Sequence, residues 1–208
     1  MPHRESSWKF AEELVTEGDA IGLARQHSLE AGVDTVSPGV GAQLAVTAAL
    51  VGASNIIEIG TGLGVSGLCL LQGAPDATLT SIDVELDHQQ AAREAFALAG
   101  VPANRVRLIT GRATEVLPRM NENSYDVVLV DADPEGVIEY VEHGLRLART
   151  GGVVLVAHAL VNGRVVNPAA RDGVTADYRT LLTEVSTSPA VISALATSGD
   201  GLLQLVKR

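Results

Sequence analysis

Apolar residues recur at helical spacing in the first quarter of the chain and in short runs along the rest. From about Ser7 to Val51 the spacing predicts a helical front piece. Pro38 separates two of its helices, because proline holds the residue before it in an extended backbone and can itself open the next helix. One helical face is expected to hold Phe10, Leu14 and Val15, and a later one Val40, Leu44, Ala48 and Val51.

The rest of the chain alternates between apolar runs of strand length and longer segments with helical periodicity. Helices are predicted over His88–Ala99, with Gly100 as its stop, and over Glu135–Ala148. Runs with so few polar residues indicate strands that are covered on both faces, as in a parallel sheet between helical layers. The predicted strands are Ile56–Ile59, Ala77–Ile82, Val106–Ile109, Tyr125–Val130 and Val153–Val156.

The C-terminal part predicts a β-hairpin, because Ala190–Thr197 and Leu202–Val206 flank the turn sequence Ser198-Gly-Asp-Gly201. The whole pattern predicts an α/β fold: a Rossmann-like, doubly wound, mostly parallel seven-stranded sheet with a C-terminal antiparallel hairpin and N-terminal helices. We expect one domain over residues 1–208, with a helical extension over 1–51 and a Rossmann-like core over 52–208. Such a sheet binds ligands at the carboxyl ends of its strands.

Composition limits the classes of partner that are expected for this chain of 208 residues. Its formal net charge is −10 and it shows no lysine or arginine cluster, so we expect no nucleic-acid partner, because such a chain repels phosphate backbones. No apolar run approaches the ~20 residues that a membrane span needs, and the first residues lack the pattern of a secretory signal. Cys69 is the single cysteine. These features favour a cytoplasmic protein without a membrane partner.

The first segment with chemical information is Glu58-Ile-Gly-Thr-Gly-Leu-Gly-Val-Ser66. Its glycines allow a tight turn and the close approach of a ligand, and the next helix offers free N–H groups to that ligand. Within it, Gly62-Leu-Gly-Val-Ser-Gly67 also matches the G-x-G-x-x-G pattern of dinucleotide-binding proteins. That pattern begins directly at a strand end, whereas here Glu58 and Gly60 come first. A carboxylate at Glu58 opposes a pyrophosphate and suits a cofactor with a cationic amino-acid part.

Asp83 directly follows the second predicted strand. A carboxylate at this place can accept hydrogen bonds from both hydroxyls of a ribose. The alternative is that Asp83 only caps the helix that starts near Leu86. With the glycine-rich turn upstream, the ribose interpretation is favoured, and a nucleotide-containing ligand is expected.

Several short motifs together carry a resemblance to a known family, in the family's order and at its approximate spacing. The chain resembles the catechol and caffeoyl-coenzyme-A type O-methyltransferases from about residue 36 to the C-terminus. The resemblance implies S-adenosylmethionine-dependent methyl transfer to a hydroxyl group of a small-molecule acceptor, by a homodimer. The motifs are Glu58–Ser66, Ser81-Ile-Asp83, Gly111-Arg-Ala113, Val130-Asp-Ala-Asp133 and Gly151-Gly152.

The resemblance also implies contacts to the methionine part of the cofactor. Val36 would line the entrance of the cofactor site. Glu58 would lie near the methionine end, with Gly60 and Thr61 supplying backbone contacts. Ser66 would hydrogen-bond the methionine carboxylate from the start of its helix.

Three further contacts are implied along the rest of the cofactor. Asp83 would hold the ribose, the backbone amide of Ala113 would donate to the adenine edge, and Asp131 would contact the methionine amino group. The alternative for Asp131 is an exposed carboxylate at a strand end.

The chain departs from the family where relatives bind a divalent cation. The Asp-Asn pair that follows the fifth strand in those relatives is Ala157-His158 here, and the lysine after Asp-Ala-Asp is Pro134. Mg²⁺ and Ca²⁺ prefer oxygen ligands, so we predict no metal site and hypothesise metal-independent transfer. His158 is the candidate catalytic base, since histidine titrates near neutral pH; the alternative is a polar side chain in a degenerated metal site.

Three functional hypotheses follow from the sequence. The first is a small-molecule O-methyltransferase. The second is an NAD-linked oxidoreductase that uses the Gly62–Gly67 pattern, although the chain shows no Tyr-x-x-x-Lys pair. The third is a non-catalytic protein that binds S-adenosylmethionine. His88, inside a predicted helix, is expected to be a surface residue.

Overall fold

A computed structural model describes residues 2–208, with side chains from Ser6 onward. The chain begins with three helices, α1 (Pro2–Glu13), α2 (Asp19–Ala31) and α3 (Pro38–Leu50). Helix α3 starts as the sequence predicts, because Pro38 occupies its first position and the Ser37 hydroxyl accepts from the Val40 N–H.

One seven-stranded sheet forms the centre of the molecule, with the strand order β3-β2-β1-β4-β5-β7-β6. The first five strands are parallel, and β7 is antiparallel to both β5 and β6. This arrangement confirms the predicted fold class. The strands are β1 (Asn55–Ile59), β2 (Thr78–Asp83), β3 (Val106–Thr110), β4 (Tyr125–Val130), β5 (Ala148–Val156), β6 (Val191–Ala196) and β7 (Leu202–Lys207).

The remaining helices cover both faces of the sheet and form two separate apolar cores. Neighbouring residues of one strand point to opposite cores: Ile56 packs with α3 and α4, whereas Ile57 packs with α7 and α8. Burial on both faces explains why the central strands lack polar alternation. These helices are α4 (Val65–Gly73), α5 (Leu86–Leu98), α6 (Ala113–Val116), α7 (Val137–Leu147) and α8 (Gly173–Thr187).

Some features of the fold differ from the sequence prediction. Helix α8 was not predicted, and β5 starts at Ala148, ahead of the irregular pairing that Gly151 and Gly152 accommodate. The side chains of Phe10 and Leu14, predicted to share one helical face, are 67% and 71% exposed. No side chain of residues 6–208 covers them, so the shared face is not a buried one.

The strand order creates a switch point between β1 and β4, where the chain crosses from one half of the sheet to the other. At such a point the loops after neighbouring strands diverge and leave a crevice beyond the carboxyl ends. The loops after β1, β4 and β5 contain Gly60, Asp131 and His158, and Asp83 is the last residue of β2. The fold therefore brings these four residues to one edge of the sheet.

Candidate functional site

The turn after β1 requires glycine at position 60. Gly60 has a φ of +95°, and a Cβ atom built there would lie 1.9 Å from the carbonyl oxygen of Asp131. The Gly60 N–H donates to the Ile82 carbonyl at 2.8 Å, which holds the turn against β2. Any side chain would force β1 and β4 apart at the mouth of the crevice.

Asp83 ends β2 and organises the same turn. Its Oδ2 accepts hydrogen bonds from the N–H groups of Thr61 (2.9 Å) and Gly62 (3.0 Å), and its Oδ1 accepts from the Glu85 N–H (2.9 Å). The carboxylate thus holds the loop before α5, and it lines a cavity at the sheet edge. It is not the cap of α5, because the N-cap of that helix is Glu85 and no side chain caps it.

That cavity has a volume of about 280 Å³ and follows the carboxyl ends of β1, β2 and β4. It is lined by most of the residues that the sequence singled out for a cofactor. His88 also lines it, with its Nδ1 3.9 Å from Asp83 Oδ2, so His88 faces the site instead of lying apart from it on the surface. The predicted residues that line the cavity are Gly60, Thr61, Ser66, Asp83, Ala113 and Asp131.

Glu58 differs from its predicted place. Its side chain is fully buried beneath the turn and does not line the cavity. It accepts hydrogen bonds from the hydroxyls of Ser66 and Ser81, each at 2.6 Å, and Ser81 in turn lies 2.7 Å from the Thr61 hydroxyl. Burial without a cationic partner raises the pKa of Glu58 to about 8, against the opposing effect of these hydrogen bonds. The carboxyl supports the floor of the site through Ser66 and does not touch its contents.

Val36 also differs from its predicted place at the cofactor entrance. Its side chain is only 1% exposed and belongs to a hydrophobic core, because the guanidinium of Arg25 binds the Val36 carbonyl oxygen at 2.5 Å and fixes the segment there. The preceding residues Val33, Asp34 and Thr35 line the cavity in its stead. The residues of this segment that line the cavity thus lie one to three positions before Val36.

A second cavity of about 250 Å³ adjoins the first and shares Asp131 with it. His158 lines this second cavity, where its Nε2 lies 3.5 Å from Asp131 Oδ1. His158 follows β5 in a turn and has a φ of +54°, a conformation uncommon for a residue with a side chain. Burial raises the pKa of Asp131, while the neighbouring His158 acts in the opposite direction. The exposed-carboxylate alternative for Asp131 is wrong, because its side chain is 16% exposed.

Two residues of the second cavity were not singled out from the sequence. Tyr178 reaches it from α8, and Asp200 reaches it from the β6–β7 turn. The turn arrives there because β7 runs antiparallel to β5, so its first residues meet the carboxyl end of β5. The helical spacing of Tyr178, Leu181 and Val185 after the Asp172 cap was the signal that would have predicted α8.

The two positions where the family's relatives hold their divalent cation supply no side-chain oxygen beside Asp131 here. Ala157, at the first position of the family's ligand pair, is buried and has no ligand atom, and His158 supplies an imidazole in place of an oxygen. Pro134 opens a short 3-10 helix beside the cavity, where the Asp133 side chain caps it. Throughout residues 6–208, no group of three or more His, Cys, Asp or Glu side chains has metal-binding geometry.

The doubly wound sheet, the glycine turn and the acidic residue that ends β2 place the protein in the Rossmann-like class, whose members bind nucleotide-type cofactors at this edge of the sheet. Comparison with known proteins identifies the particular family. The chain belongs to the O-methyltransferase family, whose model matches residues 22–208.

Individual relatives agree with this assignment. A Mycobacterium tuberculosis protein named as an O-methyltransferase is 43% identical over 204 residues, which cover 98% of this chain and 91% of the relative. The O-methyltransferase TomG from Streptomyces achromogenes, involved in tomaymycin synthesis and crystallised with S-adenosylmethionine, is 32% identical with a TM-score of 0.83, over 96% and 95% of the two chains. A Corynebacterium glutamicum protein reaches a TM-score of 0.90 at 28% identity, over 99% and 97%.

These comparisons confirm the O-methyltransferase prediction and give no support to the NAD-linked alternative. In the part of the chain that the structure describes, no helix has the length and apolar character needed to cross a membrane.

Proposed function

We propose that this protein transfers a methyl group from S-adenosylmethionine to a hydroxyl group of a small-molecule acceptor without a metal ion. The observation that carries the proposal is the pair of adjoining cavities at the switch point, which meet at Asp131. The larger one lies between the glycine turn and Asp83, as a nucleoside-containing cofactor requires. The family relative TomG, crystallised with S-adenosylmethionine, supports the choice of cofactor.

The residues of the larger cavity fit this cofactor in size and chemistry. Asp83 offers its carboxylate to the ribose hydroxyls, and Ala113, at the first position of α6, has an N–H without an intrahelical acceptor for the adenine edge. Asp131 offers a carboxylate to the methionine ammonium group. When bound, the cofactor supplies a methyl group on a cationic sulfur.

Ser66 can hydrogen-bond the methionine carboxylate only as a donor, yet its hydroxyl proton is directed at Glu58. A protonated Glu58 removes this conflict, because it donates to Ser66 and frees the serine proton for the ligand. The pKa of about 8 keeps Glu58 protonated at neutral pH. The buried carboxyl therefore acts as a positioning group for Ser66.

In this proposal the acceptor occupies the second cavity, with its hydroxyl group beside His158. The imidazole takes the hydroxyl proton, the acceptor oxygen forms a bond to the methyl carbon, and the carbon–sulfur bond breaks with its electron pair left on sulfur. Asp131 Oδ1, 3.5 Å from His158 Nε2, stabilises the imidazolium that results. Because Ala157 and His158 replace the oxygen ligands of the family's cation, no step is assigned to a metal.

A methyl-transfer assay with isotopically labelled cofactor and a panel of hydroxyl acceptors, with and without EDTA, tests this proposal. We expect turnover that EDTA leaves unchanged, and a loss of at least about 100-fold in kcat for His158→Ala, as for removal of a general base. The control is His27→Ala, since His27 is exposed on α2. Full turnover by His158→Ala would refute the base assignment, and no turnover on any acceptor, with cofactor binding intact, would favour the non-catalytic hypothesis.

We also propose a cytoplasmic homodimer, with the acceptor as its small-molecule partner and no nucleic-acid partner. The exposed apolar side chains of Trp8, Phe10 and Leu14 on the front piece support a contact between two copies. Light scattering should give the mass of two chains, and a monomeric mass would contradict the dimer.

A further inference from the structure

The second cavity is lined by carboxylates without a matching number of cations. Four aspartates, Asp34, Asp131, Asp133 and Asp200, line it together with His158. Within residues 6–208 no lysine or arginine lines this cavity, and none of the four aspartates forms an ion pair with one. A cavity with this charge attracts cations and repels anionic ligands.

Tyr178 provides an independent sign of a ligand in this cavity. Tyr178 is only 4% exposed and lines the cavity from α8. Its hydroxyl group has no hydrogen-bond partner among residues 6–208. Burial, together with Asp131, Asp200 and Asp133, raises the pKa of the Tyr178 phenol to about 12. The hydroxyl thus stays protonated and is accessible as a donor inside the cavity, at the end of an otherwise buried side chain.

The cofactor is itself cationic, so the carboxylates shared by both cavities could serve it alone. Asp34, Asp131 and Asp133 line both cavities, whereas Asp200 and Tyr178 line only the second one. Asp200 keeps its side chain at the cavity because its Oδ2 accepts from the Asn162 N–H at 2.5 Å. Asp200 and Tyr178 are therefore assigned to the acceptor.

We infer that the acceptor is a hydroxyl compound that also carries an ammonium group, with Asp200 binding the ammonium group and Tyr178 donating a hydrogen bond to the acceptor. Acceptors with carboxylate or phosphate groups, including coenzyme-A thioesters, are disfavoured by the same carboxylates. This substrate class rests on the proposed function, because it takes the second cavity as the acceptor site.

The experiment uses three catechol probes that share one ring and differ in the charge of its substituent: 2-aminoethyl (cationic), ethyl (neutral) and carboxymethyl (anionic). Their affinity for the full-length protein saturated with S-adenosylhomocysteine is measured by calorimetry, and their kcat/KM is measured with S-adenosylmethionine. We expect the affinity for the cationic probe to be at least about tenfold higher than that for the neutral probe, and the anionic probe to bind most weakly.

Variants separate the two assigned residues. Asp200→Asn should lower affinity for the cationic probe about tenfold and leave the neutral probe within about twofold, whereas Tyr178→Phe should weaken both alike. Asp76→Asn is the matched control, because Asp76 is a fully exposed aspartate far from the cavity. Binding of S-adenosylhomocysteine should be unchanged in all three variants, which shows that they fold.

Equal affinity for the cationic and neutral probes, or an Asp200→Asn effect of the same size on both, would overturn the inference whether or not the protein methylates them. Failure of the proposed function has a different signature, namely absent S-adenosylhomocysteine binding or absent methyl transfer. A tight, charge-selective complex without methyl transfer would leave the acceptor class standing and refute the catalytic proposal.

Discussion

The buried Glu58 makes the stability of the protein depend on pH in an unusual direction. The carboxyl has no cation beside it, and its pKa is raised from 4.5 to about 8 by burial. A carboxyl with a raised folded-state pKa binds its proton more tightly in the folded protein. Its contribution to stability is therefore present at low pH and is lost as the pH rises from the unfolded pKa through the folded pKa.

The magnitude follows from the two pKa values. With about 1.4 kcal/mol per pKa unit, this one group should lower the free energy of unfolding by about 3 kcal/mol between about pH 5.5 and about pH 8.5. Glu58→Gln keeps the shape of a protonated carboxyl and can still donate to Ser66, but it has no proton to lose. Over the same pH range, the difference in unfolding free energy between wild type and variant should change by about 3 kcal/mol, and the change should favour the variant at high pH.

Urea denaturation of both proteins across this pH range measures the shift. The difference between the two proteins cancels the contributions of other titrating groups, which are common to both. Glu142→Gln, the same change at an exposed position of α7, should give a pH-independent difference. A wild type minus Glu58→Gln difference that stays constant within about 1 kcal/mol would refute the assignment of a protonated, buried Glu58.

Two more predictions concern the sheet, one at the glycine turn of the site and one at the opposite end, where β1 begins. Gly60→Ala should destabilise the protein by at least about 2 kcal/mol and abolish S-adenosylhomocysteine binding, because the new Cβ would meet the Asp131 carbonyl. The control is Gly22→Ala, where no atom lies within 4 Å of the new Cβ. This control should be neutral or stabilising in thermal melts. Burial opposes the ionisation of Asp126, but the N–H groups of Asn55 and Ser54 and the guanidinium of Arg149 lower its pKa. Asp126→Asn should therefore cost about 1–3 kcal/mol at pH 7, and this cost should shrink as acid protonates the wild-type carboxylate. A cost that stays constant from neutral to acid pH in urea denaturation would contradict this.

The strands and the glycine turn could be predicted from the sequence because their signals are local. Tyr125–Val130 forms β4 with the predicted bounds. An almost unbroken apolar run between polar loops marks both ends of a buried strand. Gly60 and Asp83 fall at the ends of such strands, and the parallel sheet brings strand ends together. Most of the residues singled out from the sequence line the larger cavity for this reason.

The acceptor side depends on contacts between distant segments. Tyr178 and Asp200 come from α8 and from the β6–β7 turn, and only the antiparallel placement of β7 beside β5 brings the turn to the cavity. Glu58 shows a different limit of prediction from sequence. Its residue type suggested a contact to a cationic ligand, but the pleat of β1 directs its side chain below the glycine turn, toward Ser66 and Ser81. Side-chain direction at a strand end is set by the register of the sheet, which the local sequence does not specify.

Calorimetric titration with S-adenosylhomocysteine, with NAD⁺ run beside it, tests the cofactor assignment most directly. Wild type should bind S-adenosylhomocysteine at micromolar concentration and should not bind NAD⁺. Asp83→Ala should weaken the binding about 10- to 100-fold through the loss of the ribose hydrogen bonds, and Asp76→Asn should not change it. Binding of NAD⁺, or no binding of S-adenosylhomocysteine by a folded wild type, would contradict an S-adenosylmethionine-dependent methyltransferase.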